Sequence, residues 1–171
     1  LVRALAHQIG SEVSYDELSQ LTGSDRKTVE KYIDLLEKAF VVFRLPAFSG
    51  NIRNEIKKGR KIYFYDCGIR NALINDFRPF EIRKDAGLLF ENLMMAERIK
   101  FLRNNGVRSS AHFWRTTQQQ EIDLIEEYPG KLKIFEFKLR QQNVRFSRTF
   151  VSAYAPLSMQ AVTLENCDHF L

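Results

Sequence analysis

Cysteine is scarce in this chain: two residues in 171, Cys67 and Cys167. They form no C-x-x-C pair and no histidine stands at metal-ligand spacing from them, so neither a zinc framework nor a disulfide scaffold is indicated. Reduced thiols in a cytoplasmic protein are the expectation. Long apolar runs are also missing. None reaches the ~20 residues needed to cross a bilayer, and no basic-then-apolar leader opens the chain, so no membrane partner is expected. The charge is not lopsided: 26 Lys and Arg against 21 Asp and Glu leave a net +5. That balance suits an acidic polymer as partner, far more mildly than a basic tail would. A phosphate-cradling G-x-x-x-x-G-K-[ST] loop occurs nowhere. An initiator methionine is absent as well, and Leu1 stands in the middle of a helical pattern, so a piece of a longer protein is expected.

What is present begins with ample apolar content, 44% of residues, enough to build the core of one or two small domains. Leu1, Leu5 and Ile9 recur at helical spacing and stop at Gly10. Ser14 ahead of Tyr15-Asp16-Glu17 reads as a capping box opening a short helix that ends at Gly23. Ser24 is expected to open a third helix with Val29, Ile33, Leu36 and Ala39 on one face. Helix, tight turn and helix read as helix-turn-helix. The apolar run VVFRLPAF and the basic NIRNEIKKGRKIYFYD that follows read as the strands of a wing. A winged helix-turn-helix is thus expected over residues 1–65. If it reads DNA, Arg26, Lys27 and Lys31 on the third helix contact phosphate, joined by the wing cations Arg53, Lys57 and Lys58. The acids Asp25, Glu30, Asp34 and Glu37 on that helix oppose phosphate. A helical module for partner contact therefore remains the alternative.

Residues 69–85, with Asp76, Arg78, Pro79, Arg83 and Lys84, read as a polar linker that is ordered but exposed, with Asp66 capping the next helix start. A helix follows from Ala86 to Leu102 with Leu89, Leu93, Ala96 and Ile99 on its apolar face and Glu91 leaning away from it. AHFWR (111–115) is a strand whose Trp114 packs on the sheet, and His112 has a structural role. Glu121–Lys138, EIDLIEEYPGKLKIFEFK, carries two apolar patterns around Pro129-Gly130, the signal of a β-hairpin. Glu136 and Lys138 share one strand face, and antiparallel pairing sets Asp123 across from Glu136. Two carboxylates and an amine then converge. An amphipathic helix through Phe146, Phe150 and Tyr154 ends at Pro156, with Gln142 and Arg145 placed to meet a nucleic-acid backbone. A last strand, residues 160–164, closes the sheet, and the tail NCDHFL reads as an edge or a truncation.

The Asp123 … Glu136-x-Lys138 pattern resembles the PD-(D/E)XK nuclease superfamily, although Asp123 stands in EID rather than in a Pro-Asp pair. The resemblance implies a mixed sheet flanked by helices over residues 66–171, with Asp123, Glu136, Lys138 and the helix acid Glu91 as catalytic residues. Asp123 and Glu136 would hold Mg²⁺, because phosphodiester hydrolysis needs a hard cation on oxygen ligands. The α/β architecture expected is then a winged helix-turn-helix followed by a nuclease-like domain, with DNA as partner and RNA left open. Four runs in order, SYDELSQLTGSDRKTVEKYIDLLE, RKIYFYDCGIRNAL, GLLFENL and FWRTTQQQEIDLI with FEFK, resemble the C-terminal region of prokaryotic AAA+-type predicted ATPases. That resemblance implies an N-terminal ATPase module of the same protein as partner and binding of ATP there only. It leaves open whether the nuclease-like site is catalytic or a non-catalytic domain keeping that fold.

Overall fold

The computed structural model describes residues 1–50, 59–140 and 143–171. It is a mixed α/β chain that packs as two compact units, Leu1–Arg44 with Arg60–Ala96, and Leu45–Gly59 with Glu97–Leu171. The packing boundary falls within a long helix, beyond the residue 65 at which the sequence reading divides the chain. No helix among the described residues is long and apolar enough to cross a membrane.

The first unit opens with α1 (Val2–His7), α2 (Tyr15–Thr22) and α3 (Arg26–Lys38), then a two-stranded sheet of β1 (Val42–Pro46) and β2 (Arg60–Phe64). Its helix ends follow local chemistry. Ser14 Oγ accepts the Glu17 N–H to start α2, and Gly23, at φ 65°, ends it in the left-handed region where a side chain would strain. The cap of α3 is Asp25, not Ser24: its carboxylate takes both the N–H (2.9 Å) and the hydroxyl (2.6 Å) of Thr28. A carboxylate is the stronger acceptor beside a helix dipole. Leu5, Leu18, Val29, Ile33, Val42, Ile62 and Phe64 make up most of the core between them.

The stretch expected to be an ordered, exposed linker is ordered, but two of its arginines are not exposed. Asp66 caps α4 (Cys67–Ile74) and Asn75 closes it at φ 52°. Arg70 and Arg83 are buried, both on Asp85, and Arg70 Nε also donates to the Ala6 carbonyl at 2.9 Å. Arg78 and Lys84 are exposed as expected, whereas Arg70 and Arg83 are buried in ion pairs, which composition alone does not distinguish. Next comes α5 (Ala86–Asn104), whose buried side chains include Leu89, Phe90, Met94 and Met95, while Leu93 is exposed. Asn92 is fully buried, and its side-chain amide pairs with the backbone of Phe64, accepting the N–H (2.8 Å) and donating to the carbonyl (3.0 Å). Asn92→Leu strands both groups without water, so a loss of about 2 kcal/mol or more is expected in urea unfolding.

In the second unit the sheet runs β3 (Ser110–Arg115), β4 (Glu121–Tyr128), β5 (Lys131–Phe137) and β6 (Ser158–Val162), in that order. The first two pairings are antiparallel and the last is parallel. Trp114, Ile122, Ile125 and Ile134 pack with Phe150 of α6 (Arg148–Tyr154). The tail is not an edge: Phe170 is buried and meets the rings of Phe135 and Phe137 edge-on.

Candidate active site

The site begins with an irregularity in β4. His112 pairs with Ile125 and Trp114 with Ile122, so the single residue Phe113 faces two residues, Asp123 and Leu124. This is a β-bulge, which kinks a strand and re-aims its side chains. It explains how Ile122 and Ile125, three apart, join one hydrophobic cluster, which period-2 alternation forbids. On the other side of β4 the ladder with β5 is regular up to Leu124 opposite Phe135. Two residues further along β5, the Phe137 N–H donates to the Asp123 carboxylate, Oδ2 at 2.9 Å. On the β6 side the ladder continues, the Lys138 N–H donating to the Val162 carbonyl at 2.9 Å.

At this point the hairpin gathers its charged groups. Lys138 Nζ lies 3.1 Å from Glu136 Oε2 and 3.7 Å from Asp123 Oδ2. Both carboxyl groups are largely buried, at 7% exposure for Asp123 and 8% for Glu136. Burial first and the neighbouring Asp123 carboxylate second raise the Glu136 pKa, the Lys138 ammonium opposes both, and together they leave it at about 8. The folded chain therefore keeps a proton on Glu136 that the unfolded chain gives up. This contribution to stability is fully present below the unfolded value of 4.5 and is lost as the pH rises through about 8. The urea midpoint of the metal-free protein should fall across that interval, and Glu136→Gln should flatten the fall.

The convergence expected of Asp123, Glu136 and Lys138 is thus present within one unit. Glu91 belongs to the other. There it is buried rather than leaning outward, with the Tyr63 hydroxyl donating to Oε1 at 2.6 Å and Lys61 Nζ at 3.6 Å. Of the cations assigned to nucleic acid, Arg26 is exposed but bound to Asp16 at 2.8 Å, and Lys27 and Lys31 are exposed on α3. Arg53, Lys57 and Lys58, with Gln142, lie outside the described residues. Arg145 is exposed two residues before the α6 cap Ser147, whose hydroxyl donates to Gln120 Oε1 at 3.0 Å.

Two features escaped the sequence reading. Arg44 binds Asp34 (2.6 Å) and Glu37, holding two of the α3 acids in a network with the Tyr15 hydroxyl. Glu126, to which the sequence reading assigned no role, is fully buried against Arg98. Both pairings join residues on different elements, 7 to 10 positions apart for Arg44 and 28 for Arg98, beyond the reach of helix or strand periodicity.

Among the described residues no cluster of three or more His, Cys, Asp or Glu side chains could hold a metal ion. Two close carboxylates suit Mg²⁺, which keeps several waters and takes one or two carboxylates plus substrate phosphate oxygens. They do not suit zinc, which wants nitrogen or sulfur.

Comparison with known proteins gives two matches along the chain. Residues 1–79 match a domain of unknown function, DUF8612, and residues 86–168 match a second, DUF4143. Uncharacterized protein Rv2008c of Mycobacterium tuberculosis and Uncharacterized protein Mb2031c of Mycobacterium bovis are each 30% identical over 162 residues, 94% of this chain and 36% of theirs. The chain therefore spans about a third of the length of these curated relatives. No solved structure matches it. In sequence order, the chain is similar first to DUF8612 and then to DUF4143.

Proposed function

We propose that the second unit is a PD-(D/E)XK-type, metal-dependent phosphodiester hydrolase site and that the first is a winged helix that binds nucleic acid, DNA in the first instance. The observation that carries the reading is the shared position of Asp123, Glu136 and Lys138 where β4 bulges. When bound, Mg²⁺ would supply charge neutralisation at phosphorus and activation of water. The chain's own part is to hold that chemistry in place. The Phe137 N–H fixes Asp123, and β5 carries Glu136 in register with β6. Lys138 can donate to the attacking water or to the charge developing on phosphate. The burial of both acids keeps bulk water from screening these interactions. For the first unit, the Arg44 network takes Asp34 and Glu37 away from phosphate, and Lys27 and Lys31 stay exposed. The motif order supports an AAA+-type ATPase as parent, with ATP bound outside these residues.

A second reading is a non-catalytic nucleic-acid-binding or protein-interaction domain that keeps the nuclease fold. It is favoured by the lack, among the described residues, of a third acidic or histidine ligand beside the pair, and by the exposed Tyr32 and Leu35 on α3. The deciding experiment is relaxation of supercoiled plasmid with Mg²⁺ or Mn²⁺, with EDTA as control. Metal-dependent nicking supports the first reading. A salt-sensitive gel shift without nicking supports nucleic-acid binding alone, and the absence of both leaves protein contact.

A further inference from the structure

The ammonium of Lys138 already does what a cation at this site would do. It lies within ion-pair distance of both carboxyl groups, on Glu136 Oε2 and on Asp123 Oδ2. Asp123 Oδ2 also accepts the Phe137 N–H, so that oxygen is hydrogen-bonded to the backbone while the Lys138 ammonium stands at ion-pair distance from it. The lysine is the most exposed of the three groups, its side chain 35% exposed against 11% for each acid. Its flexible four-carbon stem leaves room for the head to withdraw while the two acids stay in place.

We propose that Lys138 is the resident counter-ion of the Asp123–Glu136 pair and competes with the divalent cation for it, so that metal loading requires Lys138 to turn away from the carboxylates. This rests on the metal-dependent reading above and adds a sign to it: the residue that assists the chemistry weakens metal binding. A lysine whose head stood clear of both carboxylates, screened by water, would leave metal affinity nearly unchanged. A competing one lowers it, because an ammonium and a divalent ion within a few ångströms repel in a partly buried site. Turned away from the carboxylates, the ammonium would be available to donate to water or phosphate.

The test is calorimetric titration of the full chain with MnCl₂, without nucleic acid and at one fixed pH, for the unmodified protein and for Lys138→Gln, Lys138→Arg, Asp123→Asn and Glu136→Gln. Lys138→Gln is expected to bind Mn²⁺ on the order of tenfold more tightly, and Lys138→Arg, which keeps the charge, no more tightly than the unmodified chain. Equal or weaker binding by Lys138→Gln, with binding lost in Asp123→Asn, overturns the competition and leaves the metal site standing. Should the unmodified chain not bind, or Asp123→Asn and Glu136→Gln bind as it does, the metal reading and the competition fall together. If Lys138→Gln does not fold, the unmodified chain decides. Reductive methylation of Lys138, followed by mass spectrometry, should speed up as MnCl₂ saturates, and an unchanged rate overturns the proposal.

Discussion

Asp123→Asn and Glu136→Gln are each expected to lower metal-dependent plasmid nicking by at least about 10²- to 10³-fold, the scale seen when one preorganised electrostatic group is removed. Both substitutions are nearly isosteric, so the loss should not come from unfolding. An asparagine at position 123 keeps an oxygen able to accept the Phe137 N–H. A glutamine at position 136 resembles the protonated acid that burial and Asp123 favour there, so the variant should unfold in urea no earlier than the unmodified chain at neutral pH. Nicking at the unmodified rate by either variant, with urea curves showing it folded, removes the hydrolytic reading and leaves the binding one.

The largest effect on stability should come from the opposite end of the hairpin. Glu126 accepts from Arg98 Nε at 2.6 Å and Nη2 at 3.1 Å, and from the Tyr128 hydroxyl at 2.7 Å. Arg98 also donates to the Phe170 carbonyl, and its guanidinium carbon stands 4.7 Å from the centre of the Phe170 ring. One cation thus ties α5, β4 and the C-terminal residues together. Arg98→Met leaves a carboxylate with 0% exposure without its counter-charge, and such a truncation costs about 3–5 kcal/mol. Replacing both partners, Arg98→Met with Glu126→Leu, removes the stranded charge and should recover most of that loss. Urea unfolding of the two single variants and the double variant gives the coupling directly. Purely additive losses would show that the pair is not the unit of stability.

These two sites differ in how much of them was legible in the sequence. The acids and lysine of the hairpin stood in an alternating pattern around Pro129-Gly130, and local periodicity placed them together. The bulge left a trace too: Ile122, Leu124 and Ile125 break the alternation by one position, which is what an inserted residue does to a strand. The reading registered all three as apolar without drawing that conclusion. Arg98 and Glu126 lie 28 residues apart on elements of different type, and no local rule pairs them. The same limit hid the burial of Arg70 and Arg83, Arg70 reaching a carbonyl 64 positions away. Helix ends were readable to within a few residues: α1 stops at His7 short of Gly10, α5 runs two residues past Leu102, and α6 begins at Arg148 rather than before Phe146. The third helix was placed one position early, because Ser24 and Asp25 are both good caps and only the Thr28 contacts choose between them.

The placement of the sole tryptophan has a practical consequence for all these measurements. Trp114 has no exposed surface and lies against Phe150 in the second unit, while the first unit contains tyrosines but no tryptophan. Emission excited at the red edge therefore reports loss of tertiary order around β3 and α6 and is blind to the helices of the first unit. Far-UV ellipticity, dominated by helices, sees both. Coincident curves from the two signals would mean one cooperative transition. Separated curves would let the stability of each unit be measured on the intact chain, without cutting it.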